Sequence, residues 1–136
     1  VDSVLDGTQF SIYDYRDSFL KGDLSRSVKI IKYLKNIGVE PLVVNWILRK
    51  ELRDLVQLLV RKAEGESFSA IFKSLRIWGD RLDLLKNALR RGNVNSWLEL
   101  LIDSASIGLT IKGAYGGDPW EKLQLLTVRA CTLNSK

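Results

Sequence analysis

The stretch PLVVNWILRKELRDLVQLLVRKA, residues 41–63, is the longest helical pattern in the chain and decides its fold. Pro41 suits the first position of a helix, where no backbone N–H donor is needed. Apolar residues cover most of the circumference, and a helix of this kind is typical of the centre of a bundle. The polar residues form one narrow stripe of Lys50, Arg53, Asp54, Gln57 and Arg61. We therefore predict a central helix that ends near Ala63.

Two helices are predicted before the central one. The first covers about residues 11–20 and stops at Lys21-Gly22. Asp23 is the N-cap of the second, and Gly38 supplies the left-handed residue that ends it. Apolar residues recur at helical spacing along this second helix: Leu24, Val28, Ile31 and Leu34.

Four helices are predicted after the central one. Ser67 caps a short helix that runs through about Leu75. The next begins at Trp78 and stops at Gly92, and its predicted buried face contains Trp78, Leu82, Leu85 and Leu89.

The last two helices carry cap signals of their own. Asn95 or Ser96 begins the sixth, and Ser96 with Glu99 fits a capping box. Its predicted face contains Trp97, Leu101 and Ala105. Asp118-Pro119-Trp120-Glu121 begins the seventh, in which Asp118 accepts backbone donors and Glu121 reaches back to the cap. Its predicted buried residues are Leu123, Leu126, Ala130 and Leu133.

Length and pattern together predict one domain. The chain has 136 residues, enough for a hydrophobic core, and shows neither strand alternation nor an internal repeat. We predict a single all-α domain over residues 1–136, a compact bundle of about seven helices. Three tryptophans, Trp46, Trp97 and Trp120, are predicted core residues. Because the sequence begins at Val1 and contains no Met, we interpret it as a fragment of a longer protein, with a processed mature protein as the alternative.

The composition argues against catalysis and against metal or cofactor binding. Histidine is absent and Cys131 is the only cysteine, so the usual general base and the usual zinc ligands are missing. We expect a buried, inert thiol and a reducing compartment. No phosphate-loop motif occurs, and Gly116-Gly117 is interpreted as a turn. Asp80 and Asp83 are interpreted as solvated first-turn acids. No apolar run approaches the roughly 18 residues of a membrane span.

The formal net charge of +5 leaves two interpretations open. It permits contact with nucleic acid or with an acidic partner, but a basic protein without such partners has the same charge. Four basic residues are candidates for phosphate contact: Arg81, Arg90, Arg91 and Lys112. They are also typical of solvated faces or of charges at helix C-termini, a role that suits Arg90 and Arg91.

An ordered series of short motifs resembles the C-terminal domain of the delta-subunit family of bacterial DNA polymerase III, part of the clamp loader. The resemblance covers nearly all of the chain. The motifs are Phe10-Ser11-Ile12-Tyr13-Asp14, Leu20-Lys21-Gly22-Asp23, Gly38-Val39-Glu40-Pro41, Arg49-Lys50-Glu51-Leu52-Arg53, Arg76-Ile77-Trp78, Ala88-Leu89-Arg90-Arg91, Ile111-Lys112-Gly113 and Asp118-Pro119-Trp120.

One segment departs from the family pattern. Many members carry Ile-Asp-Arg before the Lys-Gly pair, whereas this chain has Ile107, Gly108 and Leu109. An acid and a base are both missing, so no polar role can be transferred to these positions. Gly108 either allows a close helix approach or weakens the helix by about 1 kcal/mol.

The resemblance implies a non-catalytic assembly module, the collar domain of a bacterial cytoplasmic replication complex. The collar would pack with those of gamma or tau subunits and delta prime. The full subunit would add an AAA+-like N-terminal region, absent from this chain, that binds the beta sliding clamp. Primer–template DNA would lie near the collar, which makes Tyr115, in its glycine-flanked turn, and Trp78 candidates for base stacking.

Two alternatives remain open at this point. A stand-alone helical nucleic-acid-binding module would require a recognition helix after a tight turn, for which residues 92–97 are the nearest candidate. An enzyme would require a set of nucleophile, base and orienting residues, and the sequence supplies none.

Overall fold

The computed structural model describes residues 9–133, and these form seven α-helices with no strand between them. The predicted all-helical bundle is confirmed, although residues 1–8 and 134–136 of the predicted domain lie outside the described range. The helices are α1 (Ile12–Lys21), α2 (Leu24–Asn36), α3 (Pro41–Ala63), α4 (Phe68–Ser74), α5 (Gly79–Leu89), α6 (Val94–Ile111) and α7 (Pro119–Cys131). None of these helices is long and apolar enough to cross a bilayer.

Helix α3 is the centre of the bundle, as predicted. It packs against α1, α4, α5, α6 and α7. Its buried face repeats every three or four residues, as the 3.6-residue turn requires, and consists mainly of Val44, Ile47, Leu48, Leu52, Leu55 and Leu58.

Four of the predicted helix start and stop residues are confirmed, namely Asp23, Gly38, Ser67 and Asp118. Asp23 accepts the backbone N–H of Arg26 at 3.1 Å, and Ser67 accepts that of Ala70 at the same distance. Gly38 has a φ of 86°, a left-handed conformation that other residues adopt at a cost. Asp118 caps α7, but the Glu121 carboxylate accepts no described hydrogen bond from the backbone N–H of the cap.

Helix α6 begins earlier than predicted, and the predicted capping box of Ser96 with Glu99 is wrong. Asn93 is the N-cap: its Oδ1 accepts the N–H of Ser96 at 2.9 Å, and the Ser96 Oγ accepts the N–H of Asn93 at 2.9 Å. Serine thus fills the position usually held by Glu or Gln. The predicted face is also partly wrong, because Ala105 is exposed and the buried face continues through Leu100, Ser104 and Ile107.

The three tryptophans predicted for the core have different environments. Trp97 is fully buried, which confirms its prediction, and Trp120 is half-buried against the core. The prediction for Trp46 is wrong, since 56% of its surface is exposed. It lies on the side of α3 opposite Leu48, in an open groove beside α6.

Gly92 has a packing role rather than the predicted role as a helix stop. Its φ is not positive. A Cβ at this position would lie 2.7 Å from the Ser96 Oγ and 2.8 Å from the Trp97 Nε1. The absence of a side chain therefore lets the chain pass directly over the buried indole of Trp97.

Gly108, in contrast, has room for a side chain. An added Cβ would lie 3.6 Å from the Asn45 Nδ2 and 4.0 Å from the Arg49 Nη1, which are ordinary contacts. Of the two explanations left open by the sequence, the structure thus favours a replaceable helical glycine.

We expect Gly108→Ala to raise the free energy of unfolding by about 1 kcal/mol, because alanine is the better helix former and its methyl group fits. The matched change Gly92→Ala is expected to lower it by about 1–3 kcal/mol, because the new Cβ overlaps two side chains. Urea unfolding followed by circular dichroism measures both. Destabilisation by Gly108→Ala would show that α3 and α6 approach more closely than described.

Candidate nucleic-acid interface

Trp78 is exposed, and the prediction that it anchors the core is wrong. It is the N-cap of α5, with an extended backbone (φ −150°, ψ 175°), and 72% of its surface is accessible. The preceding Ile77 takes the core position and is only 3% exposed. A cap residue lies outside the helical repeat, so Trp78 does not share the buried side of Leu85.

An open groove between α4 and α5 lies beside Trp78. Phe68, Phe72 and Leu82 supply its apolar lining. Its other lining residues include three cations, Lys73, Arg76 and Lys86, and no carboxylate. An exposed indole beside uncompensated positive charge combines a stacking surface with phosphate attraction, the pairing used for single-stranded nucleic acid.

Tyr115 lies in the turn between α6 and α7 and is 52% exposed. Lys122 holds this turn from α7: its Nζ donates to the Gly116 carbonyl at 2.9 Å and to the Thr110 Oγ1 at 2.8 Å. Gly117, with a φ of 109°, lies directly against the Lys122 chain. The turn thus presents the phenol to solvent from a hydrogen-bonded support.

Lys112 is the C-cap of α6 and is exposed, three residues before Tyr115. The two candidates therefore share one end of α6, while Trp78 lies at the α4–α5 turn. No local pattern marks Lys122, because its role depends on how the glycine turn folds back over α7.

Arg81 forms ion pairs with two carboxylates of α3. Its guanidinium contacts both oxygens of Glu51: Nη2 lies 2.9 Å from Oε1, and Nε lies 3.1 Å from Oε1 and 3.3 Å from Oε2. It also pairs with Asp54. Lys50 approaches Asp54 at 3.6 Å. Contact between Arg81 and DNA remains an untested prediction, and these bonds give the residue a structural role that needs no DNA.

The carboxylate of Glu51 is the buried member of this network, with the residue only 1% exposed. Desolvation raises its pKa above the ordinary value, while the charge and hydrogen bonds of Arg81 act in the opposite direction. Breaking such a pair leaves an uncompensated charge in the interior, which is strongly destabilising.

Arg91 caps a helix other than its own. Its Nη1 donates to the Leu20 carbonyl at 2.7 Å and its Nη2 to the Phe19 carbonyl at 3.2 Å, at the C-terminus of α1. Partial burial lowers its pKa. Arg91 therefore acts at the C-terminus of α1 rather than at that of α5, the helix it follows, and Arg90 is exposed.

The groups available for chemistry are few in the described range. Residues 9–133 contain no cluster of three or more His, Cys, Asp or Glu side chains that could hold a metal ion. Cys131 is half-buried, and burial raises the pKa of its thiol, which lowers its thiolate fraction. What the structure offers a ligand is therefore aromatic and basic surface.

Comparisons with known proteins agree on one family. The family described as "Processivity clamp loader gamma complex DNA pol III C-term" matches residues 12–135. DNA polymerase III subunit delta of Escherichia coli K12 is 28% identical over 129 residues, which cover 95% of this chain and 37% of the relative. The Haemophilus influenzae Rd protein of the same name is 26% identical over 130 residues, covering 90% of this chain and 38% of the relative. The chain thus spans less than two fifths of each relative.

We expect Arg81→Met to lower the free energy of unfolding by about 3 kcal/mol at pH 7, because Glu51 is left charged and buried. The deficit should shrink as the pH falls, since Glu51, with its pKa raised by burial and no longer lowered by Arg81, takes up a proton in the folded state. Urea unfolding at several pH values measures this.

Adding Glu51→Gln to the Arg81→Met variant is the control. It should recover part of the loss at pH 7 and reduce the pH dependence of the deficit, because the carboxylate whose pKa burial raises is gone, while Asp54 remains. An equal deficit at every pH, with no recovery, would contradict the assignment.

Proposed function

We infer that this chain, which belongs to the family of DNA polymerase III clamp-loader C-terminal domains, is the non-catalytic collar module of a delta subunit. Its partners would be the collars of gamma or tau subunits and of delta prime. In the full subunit, an AAA+-like N-terminal region would bind the beta sliding clamp, which the complex loads onto primed DNA. The module would act in the bacterial cytoplasm as part of the DNA polymerase III holoenzyme. The holoenzyme is a nucleotidyltransferase, although this module does not itself catalyse the reaction.

The observation that carries this proposal is the extent of the family match. Residues 12–135 include every helix from α1 to α7, so the match covers one complete bundle rather than a shared motif. The share of each relative that is covered, 37% and 38%, is that of one domain within a larger subunit.

Assembly tests the proposal directly. The purified chain, mixed with gamma or tau and delta prime from the same organism, should enter a stoichiometric complex in sedimentation and pull-down experiments. The control is a full-length delta subunit with the same partners. If that subunit assembles and this chain does not, the chain is not a self-sufficient collar module.

We further propose that Tyr115 and Trp78 contact primer–template DNA, with Lys112 near a phosphate. The exposure of both aromatic rings and the support of the Tyr115 turn by Lys122 favour this. The groove beside Trp78 adds positive charge where a strand would pass.

Tyr115→Ala is expected to weaken binding of junction DNA by the assembled complex about 5- to 150-fold, the loss of one base stacked on an aromatic ring. Tyr115→Phe keeps the ring and should bind almost as the unchanged protein does. Fluorescence anisotropy at several salt concentrations separates stacking from charge, since loss of stacking leaves the salt slope unchanged. Unchanged affinity of Tyr115→Ala would exclude the stacking role.

A stand-alone nucleic-acid-binding module is the alternative function. The start of α6 would have to read bases. Asn95 is exposed there, but the next exposed residues are Leu98, Glu99 and Ile102, two aliphatic side chains and an acid, and none of the four is basic. Base readout uses polar side chains in register and basic contacts to phosphate. The surface at this position therefore favours the assembly module.

A further inference from the structure

A second groove lies between α3 and α6, on the face of α3 that the bundle leaves open. Along α3, Leu42, Trp46, Arg49 and Arg53 follow one another at spacings of four, three and four residues, which is one stripe of a helix. On α6, Leu109 and Lys112 face the same groove. We name these six residues the α3–α6 groove.

The apolar part of this groove is unusually exposed for a folded domain. Trp46 is 56% exposed, Leu42 51% and Leu109 40%. Isolated exposed apolar residues are common, but a tryptophan and two leucines lining one concave surface indicate an interaction site.

The charged part of the groove has one sign. Arg49, Arg53 and Lys112 are its cations, and no Asp or Glu lines it. Within residues 9–133, none of the three forms an ion pair. A partner that matched this charge would carry carboxylates.

Two buried polar atoms on residues that line the groove lack hydrogen-bond partners within the described chain. They are the Nε of Arg49 and the Oδ1 of Asn45, whose Nδ2 donates to the Ser104 carbonyl at 3.0 Å. Buried polar groups are almost always paired in a finished interior. Both atoms are themselves buried, and the Nε of Arg91 and the Nε1 of Trp97, on residues that do not line the groove, are likewise unpaired. These atoms therefore do not bear on what the groove binds.

From these observations we propose that the α3–α6 groove receives an acidic, amphipathic helix of a neighbouring clamp-loader subunit. Trp46 is the apolar anchor, and Arg49 and Arg53 pair with carboxylates of that helix. The combination of tryptophan with arginine is typical of the residues that dominate protein interfaces. This inference rests on the proposed collar function and assigns one of its contact surfaces.

The aliphatic residues favour a protein over a nucleic acid as the occupant. Leu42 and Leu109 offer nothing to a phosphate or a base edge, whereas a helix laid into a groove buries apolar anchors at such positions. The aromatic candidates for DNA, Trp78 and Tyr115, do not line this groove, and of the proposed DNA contacts Lys112 alone does.

The test uses the full subunit that carries this domain, with gamma or tau and delta prime of the same organism. Trp46→Ala and Arg53→Glu are each expected to weaken assembly at least about ten-fold in sedimentation equilibrium. The control Val60→Glu changes an exposed apolar residue on the same helix, about 21 Å farther along the axis, and should assemble normally. Thermal unfolding of each subunit verifies that the substitutions leave the fold intact.

The outcomes separate this inference from the collar function. If the unchanged subunit assembles and both groove variants assemble equally well, the groove is not the contact surface, although the collar function stands. If the variants assemble but lose affinity for junction DNA, the occupant is nucleic acid and the inference is overturned. If the unchanged subunit itself does not assemble, the collar function fails and the inference fails with it.

Discussion

The ion pair between Glu51 and Arg81 is the constraint on which the rest of this bundle depends. A carboxylate in the middle of the central helix is 1% exposed, and taking it out of water is costly unless a cation meets it in good geometry. Arg81 meets it from the first turn of α5. The pair therefore fixes the start of α5 against α3, and with it the turn that displays Trp78 to solvent.

The central helix has two faces with different physical roles. Its inner face, around Leu48, Glu51 and Leu55, is enclosed by other helices of the bundle. Its outer stripe, from Leu42 to Arg53, is apolar at one end and basic at the other and lines an open groove beside α6. A single long helix thus builds the core of one subunit and offers a surface to the next, which suits a module whose partners lie beside it.

Most local features could be predicted from the sequence, although the cap of α6 was assigned to the wrong residue, and features that depend on distant residues could not. The caps at Asp23, Ser67 and Asp118 involve atoms two or three residues apart, so spacing alone located them. The environment of Trp46 depends on which helices surround α3, which its own sequence does not specify. Trp78 was misplaced by one position, because a cap and a first-turn residue look alike in a periodic pattern. The pairing of Glu51 with Arg81, 30 residues apart, left no local trace.

The hydrogen bond between Tyr15 and Thr127, 2.8 Å long and fully buried, joins the first described helix to the last. Burial raises the pKa of Tyr15 well above its ordinary value, so the phenol stays protonated and keeps its hydrogen bond. Helix α7 also packs against α2, α3 and α6. During synthesis α1 emerges well before α7. The ribosome must therefore release almost the whole domain before Tyr15 and Thr127 can form their hydrogen bond. Until then, the parts of α1, α2, α3 and α6 that α7 covers stay exposed to solvent.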